Sequence, residues 1–158
     1  MSLARTLAVM RKAEFLSHLG EDARKLLAFG ADPLDLKPRE TLFDAGDAAD
    51  GAYLVLGGQL RLVPASTAIA PTVHSVGAVV DELALIIPTS RSATAIAQTS
   101  CEVVPLERGQ MLRILNEFPD SAATLRAALA GRTKAFLEEL ETLNSSINAT
   151  LSAADRSR

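Results

Sequence analysis

The chain has 158 residues, 48% hydrophobic and only 4% aromatic, with a net charge of −3 and a single cysteine. One domain fits that length, with a core built on Leu, Val, Ile and Ala. The composition excludes a basic nucleic-acid-binding face, a membrane span and an internal disulfide.

Residues 3–30 read as helical, because Leu7, Met10, Phe15, Leu16, Leu19, Leu26, Leu27 and Phe29 recur at helical spacing. Gly20 breaks the run, and Glu21-Asp22 suit the first turn of a second helix. Arg5, Arg11 and Lys12 come without the apolar core and cleavage site of a signal peptide, so a cytoplasmic protein is expected.

Residues 33–106 change character. Turn signals separate short β-prone runs at Tyr53–Leu56, Leu60–Val63, Thr94–Ala97 and Glu102–Leu106. This spacing predicts an antiparallel β-sandwich or roll. Gly57-Gly58 has the chemistry of a hairpin turn, and Ala65–Pro71 reads as a loop.

The helical period returns over 107–150. A first helix should run through Phe118, and Pro119 interrupts, with Asp120 or Ser121 able to cap the next helix. Leu125, Leu129, Phe136, Leu140, Leu143, Ile147 and Leu151 then recur every three or four residues, or after seven, with Arg132 on the seam. One small roll cannot cover so long a stripe, so part of it is expected to pack on a second copy of the chain.

The chemistry concentrates in Asp81-Glu82-Leu83-Ala84-Leu85-Ile86-Ile87-Pro88-Thr89-Ser90-Arg91-Ser92-Ala93-Thr94. Arg91 offers a planar fork for a phosphate oxygen pair, and Glu82 can accept from sugar hydroxyls. A helical turn over 82–87 would turn its first N–H groups towards an anion. The run Leu83–Ile87 is expected to pack in the core. Taken alone, Arg91 or Glu82 would be an ordinary surface residue; the argument rests on the two together.

This segment resembles the phosphate-binding cassette of the cyclic nucleotide-binding domain family. Val80-Asp81-Glu82-Leu83-Ala84-Leu85 and Arg91-Ser92-Ala93-Thr94 stand at the family's spacing. Leu42-Phe43-Asp44-Ala45-Gly46-Asp47 looks like the family's Gly-Asp turn, and Ala52–Leu62 like the strand-turn-strand after it. The resemblance implies an α+β fold: a jelly-roll-like antiparallel β-roll flanked by N-terminal helices and a long C-terminal helix, all in one domain over 1–158.

It also implies a ligand site of Glu82, Leu83, Ala84, Arg91 and Ser92, with Arg132, Thr133 and Phe136 as candidates for a base lid. Ser92 leaves the base open, with cAMP favoured over cGMP. One residue departs from the pattern: Asp81 stands where the family has glycine. Glycine lets backbone approach the phosphate closely. Asp81 must either point away from the ligand or weaken its binding.

The remaining polar residues are bland. His18 and His74 are isolated and cannot build a metal site, and Asp47 and Asp50 are turn residues. Cys101 reads as a buried structural thiol. No nucleophile elbow, Walker loop or dinucleotide fingerprint occurs, so no enzyme and no cofactor are expected. Fifteen residues follow Leu143, too few for a helix-turn-helix, so no direct DNA binding is expected. The resulting expectation is a cyclic nucleotide sensor, dimeric through its last helix and acting on an unknown downstream protein. The rival is a ligand-free roll that serves as a dimerisation or scaffold module.

Overall fold

The computed structural model describes residues 3–131. The chain divides into two compact units, Met1–Ala122 and Ala123–Arg158. In the first, three helices come first: α1 (Leu3–Lys12), α2 (Glu14–Ser17) and α3 (Glu21–Phe29). Gly20 caps α3 in extended conformation, with Glu21 and Asp22 in its first turn, as the pattern predicts. A second break, at the extended Ala13, separates α1 from α2. Leu7, Met10, Phe15, Leu16, Leu19 and Leu27 are buried, whereas Leu26 and Phe29 face outwards.

Ten strands follow: β1 (Leu34–Leu36), β2 (Thr41–Phe43), β3 (Ala48–Ala49), β4 (Gly51–Gly57), β5 (Leu60–Pro64), β6 (Thr72–His74), β7 (Val79–Val80), β8 (Thr89–Ser90), β9 (Ala93–Ala97) and β10 (Cys101–Glu107). They form two four-stranded sheets, β1-β10-β4-β7 and β2-β9-β5-β6, and a small β3-β8 pair, all antiparallel. The expected roll is therefore present, and 65–71 carries no strand. Its core gathers Leu36, Phe43, Val55, Leu60, Val80 and Val103 from both large sheets. This is the aliphatic packing that a chain poor in aromatics must use. Burial of each such side chain contributes about 1.5–3 kcal/mol.

The glycine pair at 57–58 is no hairpin. β4 pairs with β10 and β7, and β5 with β6 and β9, so the chain crosses there from one sheet to the other. Gly58 has φ +75°, and a Cβ on it would lie 2.0 Å from the Ser100 carbonyl oxygen. Close backbone approach, rather than a two-residue turn, demands glycine there. A 3-10 turn, Glu82–Leu85, stands between β7 and β8. It buries Ala84 and Leu85 but leaves Leu83 and Ile87 about half exposed, correcting the expectation that Leu83–Ile87 lies wholly in the core.

α4 (Arg108–Glu117) starts directly where β10 ends. Phe118 is non-helical, and helix resumes at Pro119 rather than after it. Proline suits a first helical position because its missing N–H needs no partner there. Ser121 is thus inside the helix, and its Oγ accepts from the Gly20 N–H at 2.9 Å instead of capping. In the second unit residues 123–131 are helical. Arg132, Thr133, Phe136 and the stripe from Leu140 to Leu151 lie outside the described residues. Among the described residues no helix is long and apolar enough to cross a membrane.

Candidate functional site

Arg91 enters the interior of the roll because its backbone is clamped on both sides. Its N–H donates to the Asp47 carbonyl and its own carbonyl accepts from the Gly46 N–H, both at 2.8 Å. Gly46 makes this turn at φ +92°, a conformation that favours glycine. Thr94 holds the same turn, its Oγ1 accepting from the Ala45 N–H at 3.0 Å. The Gly-Asp turn and the arginine segment, 45 positions apart at Gly46 and Arg91, are one structural unit.

The Arg91 side chain is 6% exposed. Its guanidinium lies 4.4 Å from the Phe43 ring centroid and 5.3 Å from that of Tyr53, and the two rings stack at 5.8 Å. A guanidinium over an aromatic face gains cation–π attraction, stronger where water is excluded. Nη1 donates to the Gly51 carbonyl at 2.7 Å and to Asp81 Oδ2 at 3.0 Å. Nη1 makes both of the side chain's hydrogen bonds among the described residues. A cavity of about 340 Å³ adjoins the arginine, lined also by Phe43, Asp50, Gly51, Tyr53 and Glu107.

Asp81 is the residue whose direction the sequence left open. It points at Arg91, not away from it. Its backbone is left-handed, φ 61° and ψ 47°, at the residue that opens the 3-10 turn. Aspartate is one of the few non-glycine residues that enter this region without severe strain. The position therefore asks for glycine on conformational grounds as well as for close approach.

The predicted site residues are not equivalent. Arg91 is buried, Glu82 is half-buried at the start of the turn, Ala84 is buried, and Leu83 and Ser92 are exposed. Glu82, Leu83 and Ala84 share the 3-10 turn, and the Asp81 side chain joins that turn to Arg91.

Three neighbours of Arg91 were not predicted as site residues: Phe43, Tyr53 and Gly51. Phe43 and Tyr53 lie on strands of different sheets, so no local pattern links them. Gly51 is required by close approach, since a Cβ there would sit 1.9 Å from the Leu106 carbonyl oxygen.

A second arginine holds the turn from the other side. Arg108 Nη1 donates to the carbonyls of Ala49, Ala84 and Ile87 at 2.9, 3.2 and 3.3 Å. The Arg108 N–H donates to the Asp50 carbonyl at 2.9 Å. The first residue of α4 is thus tied to both the turn and the end of β3.

Comparison with known proteins agrees with this geometry. Residues 33–118 match the family model described as cyclic nucleotide-binding domain. The fold is similar to the N-terminal domain of a transcriptional regulator from Streptomyces coelicolor A3(2), at 27% identity and TM-score 0.75, covering 84% of this chain and 94% of that one. It is also similar to a cyclic nucleotide-binding-like protein from Brucella abortus, at 30% identity and TM-score 0.61, covering 70% and 97%. Among curated proteins, the lysophospholipase NTE1 of Chaetomium globosum is 27% identical over 118 residues. That match takes in 73% of this chain but 8% of the much longer relative.

Proposed function

Because the chain belongs to the cyclic nucleotide-binding domain family, we propose that it binds a cyclic nucleotide at Arg91, cAMP in preference to cGMP. The observation that carries the proposal is the Asp81 carboxylate 3.0 Å from Arg91 Nη1: this buried cation already receives an oxyanion. A cyclic phosphate presents the same chemistry. In this reading Arg91 neutralises the phosphate, Glu82 accepts the ribose hydroxyl, and Leu83, Ala84 and Ser92 line the ligand. The C-terminal helix, with Arg132, Thr133 and Phe136 near the base, moves on binding and presents the signal to a downstream protein. Ligand binding selects among helix positions only as far as affinity differs between them. The role is binding without catalysis.

Calorimetric titration with cAMP and cGMP tests the proposal. Saturable one-site heat, larger in affinity for cAMP, is expected. No heat with either nucleotide at millimolar concentration sinks it.

The ion pair also favours a second reading, in which the roll needs no ligand because Asp81 satisfies Arg91 by itself and the domain serves to dimerise. Dimerisation through the apolar stripe belongs to both readings, since a two-fold pair would cover it. Sedimentation should show a dimer at tens of micromolar, where an interface of about 8 kcal/mol is already associated. Leu140→Glu with Leu143→Glu should split it and leave the roll folded. A wild-type chain that stays monomeric refutes the dimer.

A further inference from the structure

We infer that Asp81 is a tethered anion that occupies the phosphate subsite of Arg91 and sets the affinity of the site. The inference rests on the cyclic nucleotide reading and goes beyond it by naming what a ligand must first displace.

Three features of the structure support it. The Asp81 carboxylate lies 3.0 Å from Nη1 of a guanidinium that is 6% exposed. Asp81 is itself only 23% exposed, so solvent screens the pair poorly. The third feature is the backbone. Asp81 precedes the 3-10 turn at φ 61°, and this left-handed geometry directs the side chain towards Arg91 while Ala84 N–H closes the turn on the Asp81 carbonyl at 2.9 Å. A carboxylate fixed to the turn needs no translational entropy to reach its cation, so it competes with a free anion at high effective concentration.

A phosphate that approaches Arg91 therefore meets one of two costs. It displaces the carboxylate, which then loses its cation, or it shares the cation with a like charge a few ångströms away. Both weaken binding relative to a site with glycine at this position. The turn's other end is fixed by Arg108 through the Ala84 and Ile87 carbonyls, so release of Asp81 frees only the entry to the turn.

The test uses the full chain, cAMP as the probe, and two variants. Asp81→Gly removes the charge and relieves the left-handed backbone; Asp81→Asn removes the charge but keeps a side chain that tolerates this conformation. Both should bind cAMP at least tenfold more tightly than wild type. A wild type that binds, with both variants unchanged or weaker, overturns the tethered anion and leaves the nucleotide reading intact. Wild type and Asp81→Gly both silent towards cAMP and cGMP overturn the nucleotide reading and the tethered anion with it. A ligand-free arm tests the pair alone. Urea midpoints of Asp81→Asn, Arg91→Gln and the double variant should be non-additive, the second substitution costing less once the first is made. Strict additivity overturns the inference whatever the ligand does.

Discussion

Two of the arginine–carboxylate clusters among the described residues stand under different conditions. On the N-terminal helices Glu21 receives both Arg11 and Arg24, with Arg11 51% and Glu21 39% exposed and Arg24 13%. In the roll Arg91 and Asp81 meet at 6% and 23% exposure, and the guanidinium also has two aromatic rings and a backbone carbonyl. The Arg11–Glu21 pair of the outer cluster can be dissolved into water at small cost, because exposed pairs contribute little. The inner one cannot. Its desolvation has already been incurred, so loss of either partner strands the other in a place water reaches poorly. Evidence of function should be sought where a charge is expensive, and among the described residues Arg91 is such a place.

Arg91→Ala is the sharpest way to break the contrast. It strands Asp81 and opens a void beside Phe43 and Tyr53. We expect a loss of about 3 kcal/mol in urea-unfolding stability, at the lower end for a broken buried pair because Asp81 is partly exposed. Loss of cAMP affinity by about 2–4 kcal/mol should accompany it, as for removal of a desolvated charge partner. Arg11→Ala in the outer cluster should leave the urea midpoint almost unchanged. Equal costs for the two arginines would erase the distinction.

Arg108→Ala comes next. Three carbonyls from β3 and the cassette region lose a charged donor, and hydrogen bonds to charged groups contribute about 1.5–3 kcal/mol. Because Ile87 is half exposed while Ala49 and Ala84 are buried, we expect a loss of about 2 kcal/mol by urea unfolding. Hydrogen exchange should quicken first at Ala84, Ile86 and Ile87, whose N–H groups bond within the turn. A uniform change across the chain would contradict the local clamp. Thr94→Val is smaller still: it leaves the Ala45 N–H without its acceptor and should cost about 1 kcal/mol.

The same contrast explains what could be read in advance. β4, β5, β9 and β10 are five to seven residues long, enough for their β-prone runs to be recognised. The other six strands have two or three residues, too few to show a period, and exist through their pairing partners. Gly57-Gly58 looked like a hairpin because the local chemistry is the same; what distinguishes it is the Ser100 carbonyl, more than forty positions away. At the site, the spacing of Glu82 and Arg91 was legible because both belong to one contiguous segment. Asp81 could be marked as a departure, but its direction depends on a positive φ that residue identity does not encode. The rings beneath Arg91 come from β2 and β4, and only the packing of two sheets brings them together.

The outer cluster yields the smallest effect and a measurable sign. Hydrogen bonds from Arg11 and then Arg24 hold the Glu21 carboxyl down at about 2, against an ordinary value of 4.5. Its place in the first turn of α3 adds the favourable field of the helix N-terminus. The folded state thus binds this proton less readily than the unfolded chain. Its contribution to stability is complete above the unfolded value near 4.5 and is lost as pH falls through about 2. Glu21→Gln cannot titrate there. The urea midpoint of the variant should therefore fall less steeply than that of wild type between pH 4.5 and 2, while the curves run parallel above pH 6. The difference should shrink in molar salt, since Arg11 and Glu21 face solvent and the screening length drops to about 3 Å. Acid limbs of equal slope would show that Glu21 titrates alike folded and unfolded, and that the outer cluster contributes no charge-linked stability.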